Sequence, residues 1–331
     1  MLSANRSRRA RPASSFLLAL LLLSLPAASF AQGQQRGDAS LRVEYQYIGT
    51  GDFPFDEEVA DYWTTDSHVL LLSGDYALSD RWTVYAALPY VQKRFVAEAD
   101  IPGFTPGDPH NPNTDFVNFQ PPDLRFIDDG DYHGGFQDLT VGMRFLAVDG
   151  PAWTVSPYFG YGSPTDDYPF YAKAAIGANL WTIPVGVDVT FIPYFSDWYL
   201  RGNLAYVFSE QPLDVNVDYW LGYFSAGYWF KPRFSVNVFA AAKYIREGLV
   251  LPWDFTDDPT YGQLEDFDND RWYQHDRLLR HRMLNLGIGF DYFLTERYQV
   301  SGTYYKTTWA DQTNEVDSAF SIALTRYFGG G

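Results

Sequence analysis

The chain contains no cysteine. A secreted domain without disulfides holds together by core burial or backbone pairing alone, which excludes the small stapled scaffolds. Long apolar runs are missing too. Beyond residue 31 no stretch approaches the roughly 20 apolar residues that a spanning helix needs. Basic residues are scarce: 24 Lys and Arg stand against 41 Asp and Glu, for a formal charge of −17. Residues 1–31 carry four Arg and no acid, so removing them takes −17 to −21. Nucleic acid is not an expected partner for a chain without a basic footprint.

What is present begins with the N-terminus. Arg6, Arg8, Arg9 and Arg11 form a basic region ahead of an apolar run from Phe16 to Leu25, and Pro26 leads into Ser29-Phe30-Ala31. This pattern is expected of a secretory signal cut after Ala31, leaving residues 32–331 as one domain.

Aromatic residues make up 18% of the chain, with 25 Tyr, 26 Phe and 10 Trp. Amphipathic rings in such number suit the girdles of a transmembrane barrel, whose paired strands dispense with disulfides. The dominant pattern is period two. In Leu41-Arg42-Val43-Glu44-Tyr45-Gln46-Tyr47 every odd position is apolar or aromatic and every even one polar. The alternation returns in Leu139, Val141, Met143 and Phe145, in Ile183 to Phe191, and in Leu284, Leu286, Ile288, Phe290 and Tyr292. One face of each run suits lipid and the other a wet interior. A soluble β-sandwich also alternates, but it does not need outward faces so rich in Leu, Val, Trp and Tyr.

Twelve strands are expected near 41–49, 67–78, 82–95, 136–147, 152–162, 182–194, 198–210, 218–229, 233–246, 281–293, 297–308 and 316–328. Turns such as Leu78-Ser79-Asp80-Arg81-Trp82, Phe195-Ser196-Asp197-Trp198 and Leu294-Thr295-Glu296-Arg297-Tyr298 are short, and each is followed by an aromatic at an interface position. The fold class is therefore all-β: an antiparallel up-and-down transmembrane barrel with both termini on the periplasmic side. Fourteen strands would follow if Tyr171 to Trp181 paired, but that Ala-rich stretch reads as an irregular or helical part of an external loop. A charge on the lipid face costs about 2–4 kcal/mol at the bilayer midplane. Only Lys306 and Arg326, near strand ends, are expected there. Asp75, Lys93 and Asp317 are among the charges expected to point inward.

Two external loops, about 97–135 and 247–280, are long and acidic. Asp266, Asp268 and Asp270 have the opening spacing of a calcium loop, without the Gly and late Glu that complete one, and offer a weak calcium candidate. No other cofactor is expected. Inside the barrel, Arg42, Arg144, Arg201 and Lys243 against Glu44, Asp138, Asp188 and Asp291 are candidates for a lumen constriction that filters by charge. Mutual neutralisation that plugs a narrow interior is the other reading. The five histidines are His68, His110, His133, His275 and His281. Adjacent Ser67 and His68 point to opposite faces of a strand, so they make no dyad, and no enzyme signature emerges.

The segment Gly135-Phe136-Gln137-Asp138-Leu139-Thr140-Val141-Gly142-Met143-Arg144-Phe145 resembles the strand motif of outer-membrane transporters linked to the meta-cleavage pathway of phenol degradation. Leu78 to Trp82 followed by Ala87-Leu88-Pro89-Tyr90-Val91 is similar to that family's second hairpin. Ser163-Pro164-Thr165 stands where the family reads Pro-Thr-Gly, with Asp166 in place of the glycine. The last strand, Phe320 to Phe328, resembles the C-terminal assembly signal of outer-membrane barrels. The resemblance implies passive or facilitated diffusion of small aromatic or hydrophobic solutes across the outer membrane. The partners are then the lipid bilayer with its lipopolysaccharide, the barrel assembly machinery and a small-molecule solute. The alternative is a closed barrel acting through its external loops as an adhesin or scaffold.

Overall fold

The computed structural model describes residues 35–51, 63–97, 127, 129–170, 173–250 and 274–329. The expected signal segment, both acidic stretches (98–126 and 251–273) and Asp266, Asp268 and Asp270 lie outside them. No described helix is long and apolar enough to cross a membrane.

The chain pairs strand with sequential strand and then closes on itself. The strands are β1 (Ala39–Gly51), β2 (Trp63–Ala77), β3 (Trp82–Ala97), β4 (His133–Phe136 continued by Asp138–Phe145), β5 (Trp153–Pro164) and β6 (Thr182–Phe191). They continue as β7 (Trp198–Ser209), β8 (Tyr219–Lys231), β9 (Phe234–Ile245), β10 (Arg282–Thr295), β11 (Tyr298–Asp311) and β12 (Glu315–Phe328). A two-residue piece, Val148–Asp149, pairs with β5 inside a turn. Every pairing is antiparallel, and β1 pairs with both β2 and β12, so the barrel of twelve has no free edge. All twelve strands fall within a few residues of the positions read from alternation.

Burial follows the same period. On β1, Ser40, Glu44, Gln46, Ile48 and Thr50 are buried in the lumen while Leu41 and Val43 stand outside. On β12, Phe320, Ile322 and Leu324 face out, and Ala319, Ser321, Ala323 and Thr325 face in. Large lumen rings are accommodated by glycines on the neighbouring strand. A Cβ at Gly142 would overlap the Tyr85 ring, and one at Gly227 would overlap Tyr199.

The end that carries the short turns is ringed by aromatics: Trp82 against Phe145 at 4.8 Å, Trp153 stacked on Phe191 at 4.1 Å, Trp198 against Tyr228 at 5.0 Å. Each such pair is worth about 0.5–1.5 kcal/mol beyond its buried area, and together they form an interface belt.

Lys306 and Arg326 face outward as expected, with the Arg326 guanidinium 4.6 Å from the Phe328 ring. They are not alone there. Arg94 also faces out, held by Asp66 at 2.8 Å and lying 4.7 Å over Tyr132. Arg282 lies 4.2 Å over Tyr244 and 3.7 Å from Asp311. Both pairs sit at the loop end of their strands, where lipid-face charge becomes inexpensive. Asp317 corrects the expectation of an inward charge. A bulge opposite Gly49 and Thr50 leaves Asp317 out of the ladder, and its side chain is exposed while Val316 and Ala319 point inward.

Candidate solute path through the barrel

Three levels of side chains follow one another along the lumen. At the short-turn end lies a charged network. Arg144 on β4 donates to Asp188 on β6 at 3.0 Å and stands 3.7 Å from Asp75 on β2. Ser40 donates to Asp75 at 3.0 Å, and Asn203 donates to Asp188 at 2.7 Å and to the Tyr158 hydroxyl at 3.0 Å. On another part of the wall Arg42 pairs with Glu44 on its own strand at 2.9 Å, donates to Ser301 at 2.9 Å, and shares Glu44 with Gln46. Asp291 accepts from Gln299 at 2.6 Å. Arg201 lies 4.7 Å over the Tyr199 ring.

The sequence candidates therefore do not form one basic strip facing one acidic strip. Arg42 with Glu44, and Arg144 with Asp188, are neutralised where they stand. Arg201, Lys243, Asp138 and Asp291 enter no ion pair with one another. Asp75 completes the Arg144 site and belongs among the candidates.

Above the charged level the wall turns apolar and aromatic. Tyr85 and Tyr158, which flank the Arg144 site, join Tyr219, Leu221, Val207 and Ile245 in one buried cluster, and Ile48, Val69, Val91, Phe239, Met283 and Tyr305 belong to a second. This second cluster runs along a contiguous stretch of wall, from β9 through β12 and across the closure to β1, β2 and β3. Two residues from the segment after β5, Tyr168 and Ile176, pack against this wall from inside the barrel.

That segment corrects the reading of an external loop. It is irregular, as one form of that reading had it, but Ala174, Ala175, Ile176, Ala178 and Leu180 are each 8% exposed or less. It folds into the barrel, where small side chains suit a narrow interior. The Tyr168 hydroxyl donates to Asp138, the Gln137 amide donates to the Ile176 carbonyl, and the Lys93 ammonium donates to the Ala175 carbonyl at 3.4 Å. Burial, then the charge of Asp138, push the Tyr168 phenol far above its ordinary pKa, so the donor keeps its proton at neutral pH. Asn179, at φ +51°, turns the chain back out and binds the Tyr168 carbonyl at 3.0 Å.

Gln137 and Asp138 both reach the lumen because β4 bulges between them. Pro89 on β3 has no N–H for the ladder, and its carbonyl takes the Gln137 N–H at 2.9 Å. Gln137 and Tyr168 were not among the candidates. The proline inside a strand signals the bulge, but nothing local signals what the bulge holds.

At the loop end Ala178, Leu180, Val215, Val217 and Leu278 form a third apolar cluster across three loops. Arg277 donates to the Ala178 carbonyl at 3.4 Å, and Leu249 bridges to Leu279.

The histidines fall elsewhere. Ser67 is buried in the lumen and His68 faces out, bound to Tyr45 at 2.7 Å and Tyr132 at 3.0 Å. His133 binds Asp129 at 2.8 Å, and His281 contacts the Asp276 carbonyl at 2.9 Å. Burial opposes ionisation of Asp129, but the His133 hydrogen bond and the backbone N–H of Asp131 together outweigh it and hold the carboxyl below its ordinary pKa. His110 lies outside the described residues. Among the described residues no three His, Asp or Glu come together as a metal site.

No curated protein matches the chain. In structure the chain is similar to the COG4313 outer membrane channel from Pseudomonas putida F1: TM-score 0.61, 13% identity, covering 91% of this chain and 98% of that one. That likeness gives the fold of an outer-membrane β-barrel. The autotransporter NalP translocator domain from Neisseria meningitidis matches less well, with TM-score 0.46, 11% identity and 92% of each chain covered. Sequence supplies the more direct link, since the family described as "Putative MetA-pathway of phenol degradation" matches residues 50–242. With more than half its length so matched, the chain belongs to that family of outer-membrane barrels linked to phenol degradation.

Proposed function

We propose that the protein is an outer-membrane channel for passive or facilitated diffusion of small solutes, aromatic and hydrophobic ones among them, and not an enzyme. The observation that carries this reading is the order of the lumen: a charged level at the short-turn end, then a wall of Tyr, Phe, Leu and Ile with an inward loop packed against it. Pockets for apolar solutes have this composition, with few polar groups to set orientation. Charge at the base filters what leaves the apolar section. Asp166, where the family reads glycine, sits at the root of the inward loop and points to a solute choice of this chain's own. In this reading residues 1–31 are removed on export, the assembly machinery takes up the last strand, and lipopolysaccharide surrounds the loop end.

The filter is tested by replacing Arg144 and Arg201 together with alanine and measuring reversal potential across a salt gradient in a planar bilayer. Loss of two lumen cations shifts the preference toward cations. A reversal potential identical to that of the unaltered barrel sinks the filter.

The burial of Tyr168 and Ile176 inside the barrel favours a second reading, a closed barrel working through its loops as adhesin or scaffold. Such a barrel passes no current at any voltage.

A further inference from the structure

We infer that Lys243 is the recognition point for a small organic anion in transit, a monocarboxylate with an aromatic or branched apolar body. The inference rests on the channel reading and deepens it by naming a solute class.

Lys243 projects from β9 into the lumen and is 6% exposed. Its flanking partners in the ladder are Leu221 on β8 and Met283 on β10. Its same-face neighbours along β9 are Ala241 and Ile245. All four are buried. The ammonium rests 4.4 Å from the centre of the Tyr219 ring. Among the described residues no carboxylate lies within 4.0 Å of it.

The other lumen cations differ. Arg42 and Arg144 carry carboxylates of their own, the Lys93 ammonium is spent on the inward loop, and Arg201, which also lies over a tyrosine ring, is only half-buried. A cation buried against an aliphatic wall without a counter-charge is unfavourable, and the face of one tyrosine offsets only part of that. Within membrane-spanning segments such groups mark the path of a solute.

The chemistry of the ligand follows from the surroundings. A lysine ammonium is a compact point charge with three donors, suited to one carboxylate. The Leu221, Met283 and Tyr219 surfaces suit an apolar body beside that charge. A neutral solute leaves the ammonium uncompensated and a cation is repelled. A multiply charged anion finds a single positive group and an apolar wall that cannot solvate the rest of its charge.

The test uses refolded full-length protein in detergent micelles and two probes of one shape, benzoate and benzyl alcohol, with binding read by calorimetry. Benzoate binds about tenfold more tightly than benzyl alcohol, a difference of about 1.4 kcal/mol. Lys243→Gln removes that preference and leaves benzyl alcohol binding unchanged, while Lys243→Arg retains most of it. Lys306→Gln, on the outer surface, alters neither. Equal benzoate affinity in the wild type and Lys243→Gln overturns the inference. If Lys243→Gln fails to fold, the wild type decides alone, because equal affinities for the two probes overturn it as well. Conductance of the same preparations separates the two readings. A silent barrel that binds benzoate through Lys243 sinks the channel and keeps the site, and a conducting barrel indifferent to Lys243→Gln does the reverse.

Discussion

Excising residues 168–177 and joining the cut ends with two glycines raises single-channel conductance by about threefold or more, since flow through a pore is set at its narrowest section. The reason is positional. Tyr168 and Ile176 stand inside the barrel, packed in one cluster with Ile48, Val69, Phe239 and Tyr305. Removing the stretch clears that level and leaves every strand pairing in place, so the barrel still folds and migrates as a compact species in unheated gels. A milder variant separates occlusion from anchoring. Tyr168→Phe deletes the hydroxyl that donates to Asp138 and accepts the Asn179 N–H at 3.1 Å. It keeps the ring in the cluster, so it gives brief openings on a low baseline, visible as flicker in the current record. Conductance unchanged by the excision would mean that the limiting section lies at the charged level.

The second large effect is on stability. Arg144→Ala lowers resistance to urea by about 3 kcal/mol, because it strands a buried carboxylate. Asp75 has a side chain only 2% exposed, and its cation is Arg144. Asp188 is 29% exposed and keeps its Asn203 hydrogen bond, so it contributes less. The sign is checked by compensation: adding Asp75→Asn to Arg144→Ala recovers most of the loss. Equilibrium unfolding in phospholipid vesicles, followed by tryptophan emission, measures both. A single-variant loss below about 1 kcal/mol would place the pair in the water-screened class of surface ion pairs.

Much of this architecture is legible from residue order, and the parts that are not share one cause. Leu284, Leu286, Ile288, Phe290 and Tyr292 face out on β10 because lipid demands apolar contact on one face while the lumen tolerates Asn285, Gly287 and Asp291 on the other. Period two records that demand directly. A bulge shifts the phase by one residue without changing composition. That is why Asp317 reads as inward and lies outside, and why Gln137 and Asp138 both reach the lumen. The inward loop escaped for a different reason. Ala174-Ala175-Ile176-Gly177-Ala178 is apolar in every direction, so it carries neither strand nor helix periodicity. An all-round apolar stretch in an otherwise polar loop is the mark of burial on all sides, and that signal was present. Among the candidates, inward direction was readable for Arg42, Arg144, Arg201 and Lys243. Which of them find a carboxylate depends on cross-strand register, as the pairing of Arg144 with Asp188 two strands away shows.

Whether solutes pass through the barrel is decided by single-channel recording of the refolded full-length protein in a planar bilayer. An open channel gives discrete current steps, a measurable reversal potential under a salt gradient, and reversible block by added benzoate. A barrel that is folded by gel mobility yet silent at every voltage, in vesicles that stay impermeable to small aromatic solutes, would contradict such passage.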